Sequence, residues 1–471
     1  MVVFSGIEFL FRFLPIFLAV YYITPQKYRN TALLFGSIVF YAVGEPYFIL
    51  LLLAFVWLNY ILAKKICFYE TEHRVKNKKK LRRKKLHKKV NRKKGNKWLI
   101  TALLLDVGLL VVFKIMGAFA GNEVLPLGLS FYTFKMISFQ MDIYRRDIKV
   151  LPTFKRTAVY FMMFPQIISG PIMRYDEGDF TLDKRTYSWE RMEEGLQYFI
   201  LGLGTKVLLA DRLAILDKDI HTIGYESIST PLAWLGAISY SMQLYFDFWG
   251  YSLMASGLCV MLGFSFIKNF DHPYASRSIS EFWRRWHMTL GSFFRDYIYI
   301  PLGGSREGKK KTVRNLLIVW LLTGLWHGGG MNFILWGLVL FGLIVLEKLW
   351  LGKWLQKYPL LGRCYVLVLI PITWMLFAIT DIGQLGLYLG RMFPFVGGAG
   401  IAVNSSDIFK YLKMYAPYLM AGVIWCIPAA YRFVEKHRRH PAVIAGMVCI
   451  FWLSVYFTVS MGNNPFAYLK F

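Results

Sequence analysis

"WLITALLLDVGLLVVFKIMGAF", residues 98–119, decides how this chain has to fold. As a helix it would extend about 33 Å, enough to cross a hydrocarbon core of about 30 Å. The residues before it, "RVKNKKKLRRKKLHKKVNRKKGNK" (74–97), hold fifteen Lys/Arg and no acid. In a soluble chain such a run would suggest nucleic-acid binding. Beside an apolar span it marks a cytoplasmic flank in contact with anionic lipid head groups, and nucleic acid is not expected as a partner.

The rest of the chain repeats this alternation. It is 56% hydrophobic and 18% aromatic, with mean hydropathy +0.42 and net charge +28. These values predict an all-α polytopic membrane protein. Candidate segments are 7–23, 31–43, 47–63, 98–119, 124–141, 155–171, 195–213, 232–266, 314–326, 331–350, 363–381, 411–430 and 442–461. Several are too short for a full span, which lipid tolerates only where protein or a wet cavity surrounds the backbone. The interrupted segment 288–302 suits the membrane interface.

No linker or repeat divides the chain, which predicts one membrane domain, 1–471. It comprises N-terminal helices (1–63), a basic cytoplasmic loop (64–97), a catalytic core (98–350) and C-terminal helices (351–471). With 64–97 inside, the basic stretches 305–314, 351–363 and 431–440 also fall inside, and the N-terminus and 382–410 fall outside. The first apolar run lacks a basic leader and a cleavage site, so it is expected to be retained. Cys67, Cys259, Cys364, Cys426 and Cys449 form no C-x-x-C and are expected to be buried, inert thiols.

Ionisable residues inside such segments are functional candidates. Asp106 and Lys114, two helical turns apart, share a face and suit a structural contact between helices. Asp247 lies among aromatic and small residues in "QLYFDFWGYSLMASG", where it could orient a ring nitrogen or hold a helix break. In 269–306, Ser278 and Glu281 have capping-box spacing and predict a helix starting at Ile279. Trp283, Trp286, His287, Leu290 and Phe294 would form one stripe on it. Arg284, Arg285 and Arg295 would lie elsewhere, able to bind a coenzyme's phosphates.

His327 interrupts "LLTGLWHGGGMNFILWG" (321–337) and three glycines follow it. A helix over 316–326 would run out about halfway through the membrane. The glycines would leave N–H groups beside a neutral imidazole, a natural general base next to an anion-binding turn. G-x-S-x-G, H-E-x-x-H, Walker A and G-x-G-x-x-G are absent, so serine-hydrolase, zinc-protease and nucleotidase readings have no support.

"YFDFWGYSLMASGLCVMLGF", "NFDHPYASRSISEFWRRWHMTLGSFFRDYIYIPLGGSR" and "GLWHGGGMNFILWG" resemble the membrane-bound O-acyltransferases. "LPLGLSFYTFKMISF", "FPQIISGPIMRY" and "NPFAYLKF" resemble their bacterial alginate O-acetyltransferase branch. The resemblance implies a fold of about 11–13 membrane helices, some broken or re-entrant, around a central tunnel. It maps the essential histidine onto His327, a second onto His287, and an acid onto Asp247. Trp249, Leu253 and Leu340 depart from residues the branch usually has.

The implied reaction moves an acetyl group from cytoplasmic acetyl-CoA to an exported or cell-wall polysaccharide, through or beside an SGNH-type extracytoplasmic transferase. The implied location is the bacterial cytoplasmic membrane. Acetyl-CoA is donor substrate, and no cofactor or metal is expected. Trp283, Arg284, Arg285, Arg295, Asp247 and Asn332 are the expected substrate contacts. Two rival readings are D-alanyl transfer from a carrier-protein thioester to teichoic acid and a non-enzymatic transporter, the latter without an inverted repeat to support it.

Overall fold

The computed structural model describes residues 3–79, 85–120, 124–178, 180, 185, 187–395, 404 and 406–462. Among them every regular element is a helix. Five helices have the length and composition to cross a membrane: Ile49–Phe68, Gly95–Phe119, Met331–Lys357, Pro359–Ala378 and Pro441–Met461. A sixth crossing is available if the pair Asp407–Cys426 and Pro428–Lys436, bent by 75°, counts as one. The remaining helices are shorter or more polar, as the interrupted segments predict. The protein is an all-α, multi-pass membrane protein.

The chain forms two compact units. The first comprises Met1–Leu196 and Ala255–Ile267. Here α1 (Ile49–Lys79), α2 (Lys85–Ala120) and α3 (Leu129–Arg145) pack together. Their polar pin is Asn59, whose Nδ2 donates to Asp106 Oδ1 at 2.9 Å and whose Oδ1 accepts from Gln140 Nε2 at 3.0 Å. All three side chains are buried. Asp106 therefore makes the structural contact between helices that its position suggests. The stretch 64–97 is not simply a loop, because α1 and α2 both run on into it. Lysine and arginine are good helix formers, and no Gly or Pro intervenes before Gly95. Of the five thiols only Cys259 is fully buried, whereas Cys364 and Cys449 are exposed.

The second unit comprises Gln197–Met254 and Lys268–Leu469. It contains most of α4 (Thr230–Met261), then α5 (Ile279–Arg285), α6 (Met288–Phe294), α7 (Lys309–His327), α8 (Met331–Leu346) and α9 (Pro359–Ala378). Within the segment 232–266 the helix is unbroken as far as Met261, and 262–266 are not helical. α7 and α8 form a hairpin whose backbones touch. A Cβ on Gly324 would meet Phe333 O at 2.5 Å, and one on Gly337 would meet Trp320 O at 2.6 Å. Small residues at such crossings allow close helix approach in lipid.

Two expectations change here. The helix carrying His327 begins at Lys309 and has 19 residues, about 27 Å from its first Cα to its last, so it is not a half-length helix. The stripe from Trp283 to Phe294 is not one helix. It breaks at Trp286, which is extended (φ −94°, ψ 130°), and at His287, which is left-handed (φ 42°, ψ 55°). The break lets the chain pair with 269–271: Met288 N–H donates to Asn269 O at 2.8 Å and Asp271 N–H to Arg285 O at 2.9 Å.

Candidate active site

His327 is the last residue of α7 and is buried. Its ring lies 4.4 Å from Trp326, 5.3 Å from Trp336 and 5.0 Å from Phe377, centroid to centroid. Gly328 N–H donates to Gly324 O at 3.2 Å and closes the helix, so that N–H is not available to an anion as the sequence suggested. A Cβ on Gly328 would strike the Phe333 ring, so glycine here lets the hairpin close beside the imidazole. Asn332, in the first turn of α8, donates from Nδ2 to Phe377 O at 2.9 Å and ties α8 to the end of α9. Through Phe377, Asn332 and His327 share one neighbour.

His287 is buried and faces Phe248, ring to ring at 4.6 Å. Its Nδ1 lies 3.0 Å from Asn269 Oδ1. A carboxamide oxygen only accepts, so Nδ1 carries the hydrogen and the neutral ring keeps Nε2 as its acceptor nitrogen. Asn269 is itself held. Its Oδ1 also accepts from Thr289 Oγ1 at 2.8 Å, and its Nδ2 donates to Ser252 Oγ at 3.0 Å. A non-glycine residue at positive φ is uncommon, and such strain collects at functional sites. Sequence reasoning passed over Asn269, whose signal was its place in the motif that carries His287.

The two histidines are joined through rings. Phe248 touches Phe270 (5.2 Å), Phe270 touches Trp286 (5.1 Å), and Trp286 touches Trp374 (5.0 Å). Trp374 stacks on Trp336 (6.0 Å), which reaches His327. Trp283 joins this cluster at 5.5 Å from Trp336 and 5.7 Å from Trp374.

The other predicted contacts separate. Asp247 pairs with Lys206 Nζ at 3.1 Å, and the same ammonium holds Asp211 at 2.5 Å. Gly202 and Gly250 allow this by bringing their helices together: a Cβ on Gly202 would meet Gly250 O at 2.5 Å. Arg285 is bound to Glu281 at 2.7 Å. Arg295 grips Asp296 through two nitrogens at 2.7 and 3.0 Å. Arg284 is exposed on α5.

Asp271, on the segment paired with 285–288, is pushed up by burial, but its bond to Lys268 and the charge of Arg285 outweigh this and hold its carboxyl below the ordinary range. Half of the capping box forms: Glu281 N–H donates to Ser278 Oγ at 3.0 Å, whereas the Glu281 carboxylate accepts from Arg277 N–H at 2.9 Å. A second cap comes from Glu347, whose buried carboxylate accepts from Ile279 N–H at 2.5 Å and Ser280 N–H at 2.8 Å. No sequence spacing pointed to Glu347 or Lys206, although Lys206 and Asp211 are ionisable residues within the candidate segment 195–213. Among the described residues no cluster of His, Cys, Asp and Glu is placed to hold a metal ion.

A buried imidazole at a glycine break, within an all-helical membrane chain, fits the resemblance noted in the sequence. Residues 45–390 match the family model described as MBOAT, membrane-bound O-acyltransferase family. The chain belongs to this family. It is a membrane O-acyltransferase.

Relatives of this acyltransferase differ in what their names say they acylate. A probable alginate O-acetylase AlgI of Pseudomonas fluorescens is 36% identical over 408 residues, 83% of this chain and 76% of that one. A peptidoglycan O-acetyltransferase of Helicobacter pylori is 32% identical, covering 70% of this chain and 67% of that one. A teichoic acid D-alanyltransferase of Bacillus subtilis is 30% identical, covering 54% of this chain and 66% of that one.

Proposed function

We propose that this acyltransferase moves an acetyl group from cytoplasmic acetyl-CoA to a hydroxyl of an exported or cell-wall polysaccharide, with His327 as general base. The observation that carries the proposal is His327 itself, buried at the end of α7 in an aromatic cage beside a glycine turn. The imidazole takes the hydroxyl proton as the oxygen attacks the thioester carbonyl carbon. The carbon–sulfur bond of the tetrahedral intermediate then breaks, and the departing thiolate takes that proton from the imidazolium. Gly329 and Gly330 N–H groups are candidate oxyanion donors in place of Gly328. His287, joined to His327 through the chain of aromatic rings, lines the donor's path to the base.

For the donor's phosphates, the ion pairs of Arg285 and Arg295 make Arg284 and two lysines better suited. Lys309 and Lys348 line a cavity of about 250 Å³ with Ser305 and Thr312, over Leu316 and Val345. By the positive-inside pattern this end of the α7–α8 hairpin faces the cytoplasm, and the protein lies in a bacterial cytoplasmic membrane. The acceptor side meets the polysaccharide directly or through an SGNH-type extracytoplasmic transferase.

Acetyl transfer is favoured over D-alanyl transfer because the likeness to alginate acetylases covers 83% of the chain and that to the Bacillus D-alanyltransferase 54%. Purified protein in lipid nanodiscs, given labelled acetyl-CoA or a D-alanyl-charged carrier protein, tests this. Label should leave acetyl-CoA only in the presence of protein and acceptor. Turnover of the charged carrier alone would reverse the assignment.

A further inference from the structure

A tryptophan cluster reaches His327 through Trp336. Among the described residues, Nε1 of Trp283, Trp336 and Trp374 is shielded from solvent and meets no hydrogen-bond acceptor. Trp336 and Trp374 are 0% and 1% exposed. The three rings stand 5.5–6.0 Å from one another, and Trp336 lies 5.3 Å from the His327 ring. They come from three elements, α5, α8 and α9, so helix periodicity does not account for their meeting. Burying a donor without an acceptor is costly, and phenylalanine would pack as an aromatic without that cost. Three such donors in one cluster, which reaches the proposed base through Trp336, therefore point to a ligand.

The chemistry of the wall narrows the ligand. An indole N–H donates and never accepts. A sugar brings hydroxyl protons that need acceptors of their own, which an indole wall does not supply. Carbonyl oxygens need donors alone. An acyl-coenzyme A thioester offers one carbonyl at the reacting carbon and amide carbonyls along its arm. Its thioester oxygen gains charge as the tetrahedral intermediate forms, where fixed donors act most strongly. We infer that the indole N–H groups of Trp283, Trp336 and Trp374 bind the carbonyl oxygens of the acyl-thioester donor. This rests on the acyl-CoA reading of the site and adds the groups that recognise the donor.

The test uses Trp283→Phe, Trp336→Phe and Trp374→Phe, each keeping a ring and removing the N–H. The probe is a dethia analogue of acetyl-CoA, in which CH2 replaces sulfur and the carbonyl remains. Its affinity for the full-length protein in nanodiscs is measured beside thermal unfolding. At least one variant should bind it roughly five- to tenfold more weakly, with unfolding close to the unmutated protein. If one variant fails to fold, the other two carry the measurement. Unmutated protein that binds the analogue, with all folded variants binding equally well, overturns this inference and leaves the donor reading standing. Unmutated protein that does not bind it overturns the donor reading and this inference with it.

Discussion

At the scale of single residues, Asn269 fixes how His287 is held. Its Oδ1, 3.0 Å from His287 Nδ1, selects the tautomer, and the left-handed φ of 42° at His287 aims the ring. Asn269→Ala should lower acyl transfer roughly tenfold, the value of one hydrogen bond that fixes the ring proposed to line the donor's path, with membrane insertion unchanged. Initial rates against expression level check this. The sequence showed the histidines because an imidazole stands out in an apolar run. It did not show Asn269, because the partner is 18 residues away and meets His287 only after the chain breaks and folds back. Lys206 was missed for a similar reason, since its two acids lie at different distances along the chain.

At the scale of elements, buried charge and close backbone contact do the positioning. Lys206 serves two carboxylates, so the partners are not equivalent. Lys206→Met strands Asp211 and Asp247 together and should destabilise by about 3–5 kcal/mol. Asp247→Asn leaves Lys206 paired with Asp211 and should cost clearly less. Thermal unfolding in detergent ranks the two. In the α7–α8 hairpin, Gly324→Leu would drive a side chain into Phe333 O and cost about 1–3 kcal/mol. It should also reduce activity, because His327 stands three residues further on.

The N-cap at Ser278 was legible because it depends on a fixed local spacing. Glu347 closes the same helix from 68 residues away, a relation that only packing reveals. The broken stripe at Trp286 was hidden because the periodicity of 283, 286, 287, 290 and 294 is helical on either side of the break.

At the scale of the whole molecule, the class of fold was legible from apolar run length and charge alone. Segments such as 98–119 need no tertiary partner to declare themselves, and the structure gives a helix with a membrane-crossing stretch over Gly95–Phe119. Helix ends were less legible where a segment stays helical outside its apolar stretch, as in α7. The charge pattern also predicts sidedness. Single cysteines at Lys353 and Gly386, in a background with the native cysteines removed, should react with an impermeant maleimide from opposite sides. Gly386 should label in intact cells and Lys353 only after permeabilisation; labelling of both from one side would contradict the topology.

The claim that ties these scales together is that His327 is the base. In membranes of matched protein content, His327→Gln should abolish transfer of label from acetyl-CoA to polysaccharide, a loss of at least roughly a hundredfold. Retention of the unmutated rate by a correctly inserted His327→Gln protein would contradict the account.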